Sequence, residues 1–108
     1  MLSFLKNMMG GGSDDVAEAL RNGAVVIDVR TPAEFSGGHV AGSKNIPLNE
    51  LPNKLSSMPS SKPIVFCCAS GGRSGSATGL ATSKGYKAFS GGPWTSVNRL
   101  MADLQENK

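Results

Sequence analysis

The chain is poor in the residues that staple or metallate small domains, with only two cysteines and one histidine among 108 residues. The cysteines are adjacent, Cys67 and Cys68, and neighbours in an extended segment point to opposite faces. A disulfide between them would need strained geometry. A disulfide framework is thereby excluded, and a reducing, cytoplasmic compartment is expected. One imidazole and two thiols give no four-ligand spacing, so a zinc site is not expected. No run approaches the roughly 18–20 apolar residues of a membrane span. The apolar stretch from Met1 to Met9 is broken by Lys6 and Asn7 and lacks a small-residue cleavage site, so it does not read as a signal peptide. Charge of one sign is scarce too. The net charge is +3, and basic residues are scattered from Lys6 to Lys108, which argues against a nucleic-acid interface.

What remains is ordinary globular composition, 39% apolar and 18% charged, enough for one domain with a real core. Its most informative segment runs from Lys62 to Ser74. Ile64, Val65 and Phe66 form a buried-strand pattern that meets Cys67 and Cys68. Small residues and glycines follow, then Arg73 and Ser74, then the small residues of a closely packed helix. Strand, tight loop and helix start put a thiol where backbone N–H groups and the positive end of a helix dipole converge. Such a place favours thiolate over thiol and holds anions.

Elsewhere, Gly10 to Gly12 separate an N-terminal segment (1–12), expected to be helical or flexible, from a domain over 13–108. Ser13 or Asp14 caps a helix through Arg21, and Asn22-Gly23 stops it. Ala24 to Ile27 is a continuous apolar run, as in a strand covered on both faces. Thr31, Pro32 and Glu34 open a short helix that ends at Gly37-Gly38. Lys44 to Pro47 reads as a brief strand, Leu48 to Met58 as a weak helix, and Ile64 to Cys67 as the central strand. Ser74 to Lys84 reads as helix, Gly85 to Phe89 as strand, and Ser90 to Leu104 as a final helix entry and helix. Strands alternating with helices predict an α/β domain with a largely parallel sheet.

With these segments laid out, the chain resembles the rhodanese (sulfurtransferase) family in its single-domain form. Asp28 to Phe35, continuing through Gly38 to Gly42 and Asn45 to Pro47, is similar to that family's first signature. Cys68 to Ser74 is similar to its active-site loop, and Gly91-Gly92 before Trp94 to its last signature. The resemblance spans about Val16 to Leu104. It implies a rhodanese-like α/β fold: a central, largely parallel sheet of four to five strands with helices on both faces. Single-domain members usually begin with a short strand, and Phe4 to Gly12 makes a poor one.

Two registers compete for the nucleophile. From Cys68 the spacing is Cys-x4-Arg-Ser, the six-residue sulfurtransferase loop. From Cys67 it is Cys-x5-Arg-Ser, resembling cysteine phosphatases and arsenate reductases. Gly71 falls at the family's glycine position when Cys68 is the nucleophile, and the phosphatase register lacks an evident general acid. The resemblance therefore implies Cys68 as the catalytic residue, with Ala69, Ser70, Gly71, Gly72, Arg73 and Ser74 binding substrate through the loop. It further implies a sulfane sulfur donor such as thiosulfate or another small anion, a cyanide or thiol acceptor, and no metal or organic cofactor. The loop residues between Cys68 and Arg73 are neutral, so a protein or low-molecular-weight persulfide is an alternative donor, and a protein partner an alternative acceptor. Cys67 reads as a small buried hydrophobe or a resolving thiol, Asp28 and Arg30 as structural, His39 as a turn residue, and Trp94 as an anchor. Arg73 reads as a brace or a substrate contact, and Ser74 as a helix cap.

Overall fold

The computed structural model describes residues 13–106. The expected N-terminal segment 1–12 lies outside them. In chain order the elements are α1 (Ser13–Arg21), β1 (Val25–Asp28), α2 (Pro32–Ser36), β2 (Lys44–Asn45), a 3-10 turn (Leu48–Glu50), α3 (Leu51–Leu55), β3 (Ile64–Cys68), α4 (Gly72–Ser83), β4 (Ala88–Pro93) and α5 (Trp94–Glu106). The four strands are all parallel, in the order β2-β1-β3-β4. The α/β architecture expected from the sequence is present, with four strands among the described residues.

The pleat of β3 divides the core. All five of its residues are buried, and alternation sends them to opposite sides. Ile64, Phe66 and Cys68 pack with Leu51 and Leu55 of α3 and Ala77 and Ala81 of α4. Val65 and Cys67 pack with Val16, Ala19 and Leu20 of α1 and Val97 of α5. Burial on both faces explains why the strand reads as an unbroken apolar run. The alanines of α4 let that helix approach β3 closely.

Local signals explain most boundaries. Asp14 and Asp15 in the first turn of α1 and Arg21 in its last complement the helix dipole. α2 starts with a full capping box: the Glu34 N–H donates to Thr31 Oγ1, and the Glu34 carboxylate accepts from the Thr31 N–H at 3.0 Å.

Several boundaries differ from the sequence reading. The helix expected over Leu48–Met58 divides into the 3-10 turn and the short α3, with Pro52 in the first turn of α3. The strand expected over Gly85–Phe89 begins at Ala88 and runs on to Pro93. Tyr86 has another task, since its hydroxyl sits 2.7 Å from the Leu55 carbonyl and 2.8 Å from that of Met58 and donates to the bare end of α3. Gly91 belongs to β4 because a Cβ there would stand 2.5 Å from Val97 Cγ2 and 3.2 Å from the Phe66 carbonyl oxygen. Only glycine lets β4 lie between β3 and α5 at this point, beside the register shift between Phe66 and Cys68.

Candidate active site

The strand order creates a reversal. From β1 the chain steps outward to β2, then returns past β1 to β3. In open parallel sheets, ligands bind outside the carboxyl ends of the strands at such a switch point. Here the two neighbouring ends are Asp28 and Cys67, which pair in register, with Cys68 next along.

The loop after Cys68 turns back over its thiol. The Gly71 N–H donates to Cys68 Sγ at 2.9 Å and the Ser74 N–H at 3.3 Å. Gly71 has φ +113° and is the N-cap of the 12-residue α4. A side chain is disfavoured in that left-handed region, so glycine permits the inward turn. Gly72 is already helical, and Ala69 and Ser70 are exposed on the outside of the turn. Cys68 itself is 0% exposed. Burial alone pushes its thiol up, but hydrogen bonds from the Ser74 hydroxyl and from the backbone of Ser74, Gly71 and Ser70 outweigh it, and the net shift is downward.

Cys67 differs in its surroundings. It is also 0% exposed, but it faces α1 and α5. Burial first, and then the nearby Asp28 carboxylate, push its thiol up to about 12. It is a neutral core side chain. No disulfide joins the two cysteines.

Arg73 is held by a carboxylate of another element. Its guanidinium makes two bonds to the Glu34 carboxylate, 2.9 and 3.0 Å long, tying α4 to α2 across the switch point. Arg73, chiefly, and the Thr31 N–H hold the Glu34 carboxyl down at about 2. A groove of about 330 Å³ lined by Val29, Thr31, Pro47, Leu48, Asn49 and Arg73 opens beside this pair.

A second buried network braces the loop after β1. The Asp28 carboxylate accepts from Arg30 Nε at 2.9 Å and Nη2 at 2.7 Å, and Nη2 also donates to the Gly38 carbonyl at 2.7 Å. The guanidinium lies over the Trp94 ring, 5.0 Å from its centroid. Asn45 Nδ2 donates to the carbonyls of Asp28 and Arg30 at 3.1 and 3.0 Å. Residues far apart in the chain thus form one support, none of it in contact with the sulfur. His39 is exposed, stacks on Phe35 with ring centroids 3.7 Å apart, and pairs through Nδ1 with the Phe35 carbonyl. Among the described residues no group of three or more His, Cys, Asp or Glu could hold a metal ion. Nor is any helix there long and apolar enough to cross a membrane.

Two residues near the loop carry little signal in the sequence. Ser90 of β4 places its hydroxyl 2.9 Å from that of Ser74. Its only sequence signal is its position immediately before Gly91-Gly92. The pairing of Glu34 with Arg73 has no such signal, although the capping role of Glu34 is visible from its spacing to Thr31.

Residues 12–92 match the family described as rhodanese-like domain. The chain is 34% identical over 71 residues to a thiosulfate sulfurtransferase of Stutzerimonas stutzeri, covering 65% of this chain and 65% of that protein. It is 36% identical over 75 residues to a thiosulfate:glutathione sulfurtransferase of Saccharomyces cerevisiae, covering 57% of this chain and 54% of that protein. The matches therefore span less than two thirds of either protein's own length. Among solved structures, a rhodanese-related protein from Thermoplasma volcanium superposes with a TM-score of 0.68 at 27% identity, covering 84% of this chain and 88% of that one.

Proposed function

The chain belongs to the rhodanese-like family, and from that premise we propose that it is a sulfurtransferase working through a persulfide on Cys68. The observation that carries this reading is the Cys68 sulfur under the Gly71 and Ser74 N–H groups at the start of α4. Those donors favour the thiolate, which is the nucleophile. In the first step the thiolate attacks the outer sulfur of a sulfane donor such as thiosulfate. The S–S bond breaks and sulfite leaves with the electron pair. In the second step cyanide or a thiolate attacks the terminal sulfur of the persulfide, and the Cys68 thiolate departs. Fixed N–H dipoles then stabilise each sulfur anion in turn, as an oxyanion hole stabilises an alkoxide. The relatives named for thiosulfate and for thiosulfate with glutathione support an anionic sulfane donor and a thiol acceptor.

A second reading, transfer to or from a protein partner with slow turnover on small molecules, is favoured by Arg73. It carries the only charge in the loop, and Glu34 already neutralises it, so a free sulfonate finds no unpaired cation there. A phosphatase or arsenate reductase using Cys67 is disfavoured by the burial and raised pKa of that thiol. Two unpaired cysteines suit a reducing, cytoplasmic setting.

The test is mass spectrometry after incubation with thiosulfate or a glutathione persulfide. One added sulfur atom is expected on Cys68, lost in Cys68→Ser and kept in Cys67→Ala. Sulfur on Cys67, or none with either donor, would reject the assignment.

A further inference from the structure

The Ser74 hydroxyl has one proton and three neighbours able to accept it. It lies 3.0 Å from the Gly71 carbonyl oxygen, 2.9 Å from the Ser90 hydroxyl, and beside Cys68 Sγ, to which the N–H of the same residue donates at 3.3 Å. Ser74 is fully buried, so water does not resolve the competition. If Ser74 gave its proton to Ser90, neither the carbonyl nor the sulfur would receive it. If Ser90 is the donor, the Ser74 oxygen is filled from that side and its own proton points toward the loop.

The Gly71 carbonyl can release that proton at little cost, because it also accepts the Gly75 N–H at 3.0 Å. A hydrogen bond to a charged acceptor is roughly twice as strong as a neutral one. A thiolate at Cys68 therefore competes with the carbonyl for the Ser74 Oγ–H. Ser90, on β4 beside Phe66 of β3, approaches from the strand side, and its hydroxyl meets that of Ser74.

We propose that Ser90 is a positioning residue for the Cys68 thiolate: its hydroxyl donates to Ser74 and directs the Ser74 proton onto the sulfur. This rests on Cys68 being the reacting thiol. Hydrogen-bonded chains polarise one another, so donation into Ser74 also strengthens the bond Ser74 makes. The titratable groups near the thiol are Arg73 of α4, paired with Glu34 of α2, and Cys67 of β3. β4 contributes none, so removing the Ser90 hydroxyl alters no charge.

The experiment follows iodoacetamide alkylation of Cys68 against pH, resolved by site with mass spectrometry, in the full chain. Ser90→Ala should move the midpoint upward and slow alkylation below it by about two- to threefold. Ser90→Thr, which keeps the hydroxyl, should restore the parent curve. On a Ser74→Ala background, Ser90→Ala should add nothing. If the alanine variant does not fold, Ser90→Gly removes the same hydroxyl and takes its place. An unchanged midpoint without the Ser90 hydroxyl would overturn the proposal, as would an equal slowing in Ser90→Thr or a full effect on the Ser74→Ala background. Alkylation needs no sulfur donor, so a protein with this coupling but no sulfur transfer would count against the sulfurtransferase reading alone.

Discussion

Arg73 and Glu34 meet through two hydrogen bonds, 2.9 and 3.0 Å long, although 39 positions separate them in the chain. Glu34 also receives the Thr31 N–H and hydroxyl, so one carboxylate caps α2 and holds the start of α4. The loop over Cys68 is thereby fastened from the neighbouring strand's side of the switch point.

The first prediction follows from that carboxylate. Its folded pKa, about 2, lies below the ordinary 4.5. Above about pH 4.5 both folded and unfolded chains carry the charge and the pair contributes fully. Between about 4.5 and 2 the unfolded chain takes up the proton first, and the contribution is lost as pH falls. Glu34→Gln should therefore be less stable than the parent at pH 7, with the gap closing toward pH 2. The pair is partly exposed, so salt should also narrow the gap. Urea denaturation at pH 7, 4 and 2.5 would check this, and a gap that widens in acid would refute it.

The two glycines of the loop should respond oppositely. Gly71 has φ +113° and donates to the sulfur. Gly71→Ala should cost about 1–2 kcal/mol in backbone strain and raise the Cys68 pKa by displacing that donor. Gly72 lies in the first turn of α4 and has open space at its Cβ position. Gly72→Ala should be neutral or stabilising by up to about 1 kcal/mol. Thermal unfolding and thiol titration of both variants would decide, and equal behaviour would mean that the turn does not depend on left-handed backbone.

Donor choice offers a third test. Ala69 is exposed on the outer side of the turn, and Arg73 is engaged by Glu34. Ala69→Arg should add a charge-assisted contact for a sulfonate and lower the KM for thiosulfate about three- to tenfold, with less effect on a persulfide donor of no net charge such as cysteamine persulfide. Steady-state kinetics with both donors would show it. An equal gain for both would indicate some cause other than charge.

Asp28 and Arg30 supply the fourth. Asp28 is 0% exposed and Arg30 5%. Arg30→Ala leaves a buried carboxylate without its partner and should cost about 3–5 kcal/mol. The double variant Asp28→Leu with Arg30→Met should recover a substantial part. Chemical denaturation would measure both, and a single variant as stable as the parent would show that water reaches Asp28.

Much of this site could be read before the fold was known, for local reasons. The position of Cys68 follows from a buried strand, a glycine turn and a helix start within eleven residues of one another, and a period of two separates Cys67 from it. Arg73 was not legible in the same way. Whether it braces the loop or faces a ligand depends on Glu34, which the chain brings near only through sheet pairing. Ser90 was less visible still: it reads as the entry to the last helix but lies in β4, and nothing local to it points to Ser74 of α4. The misplaced start of β4 has a similar cause. Tyr86 looks like a strand residue by propensity, but its hydroxyl is taken by the end of α3.

The two cysteines, one peptide bond apart on opposite sides of β3, give the molecule a built-in gauge of its own opening. A reagent reaches Cys68 with no more than a small movement of the loop of small residues, the sheet and helices staying in place. It reaches Cys67 only when α1 or α5 has come off the sheet. Brief alkylation followed by a count of modified sites therefore reads two different fluctuations from one sample, a local one and a near-global one. Once each rate is divided by that thiol's rate in the unfolded chain, their ratio compares loop movement with loss of the core, without a denaturant in the measurement on the folded protein.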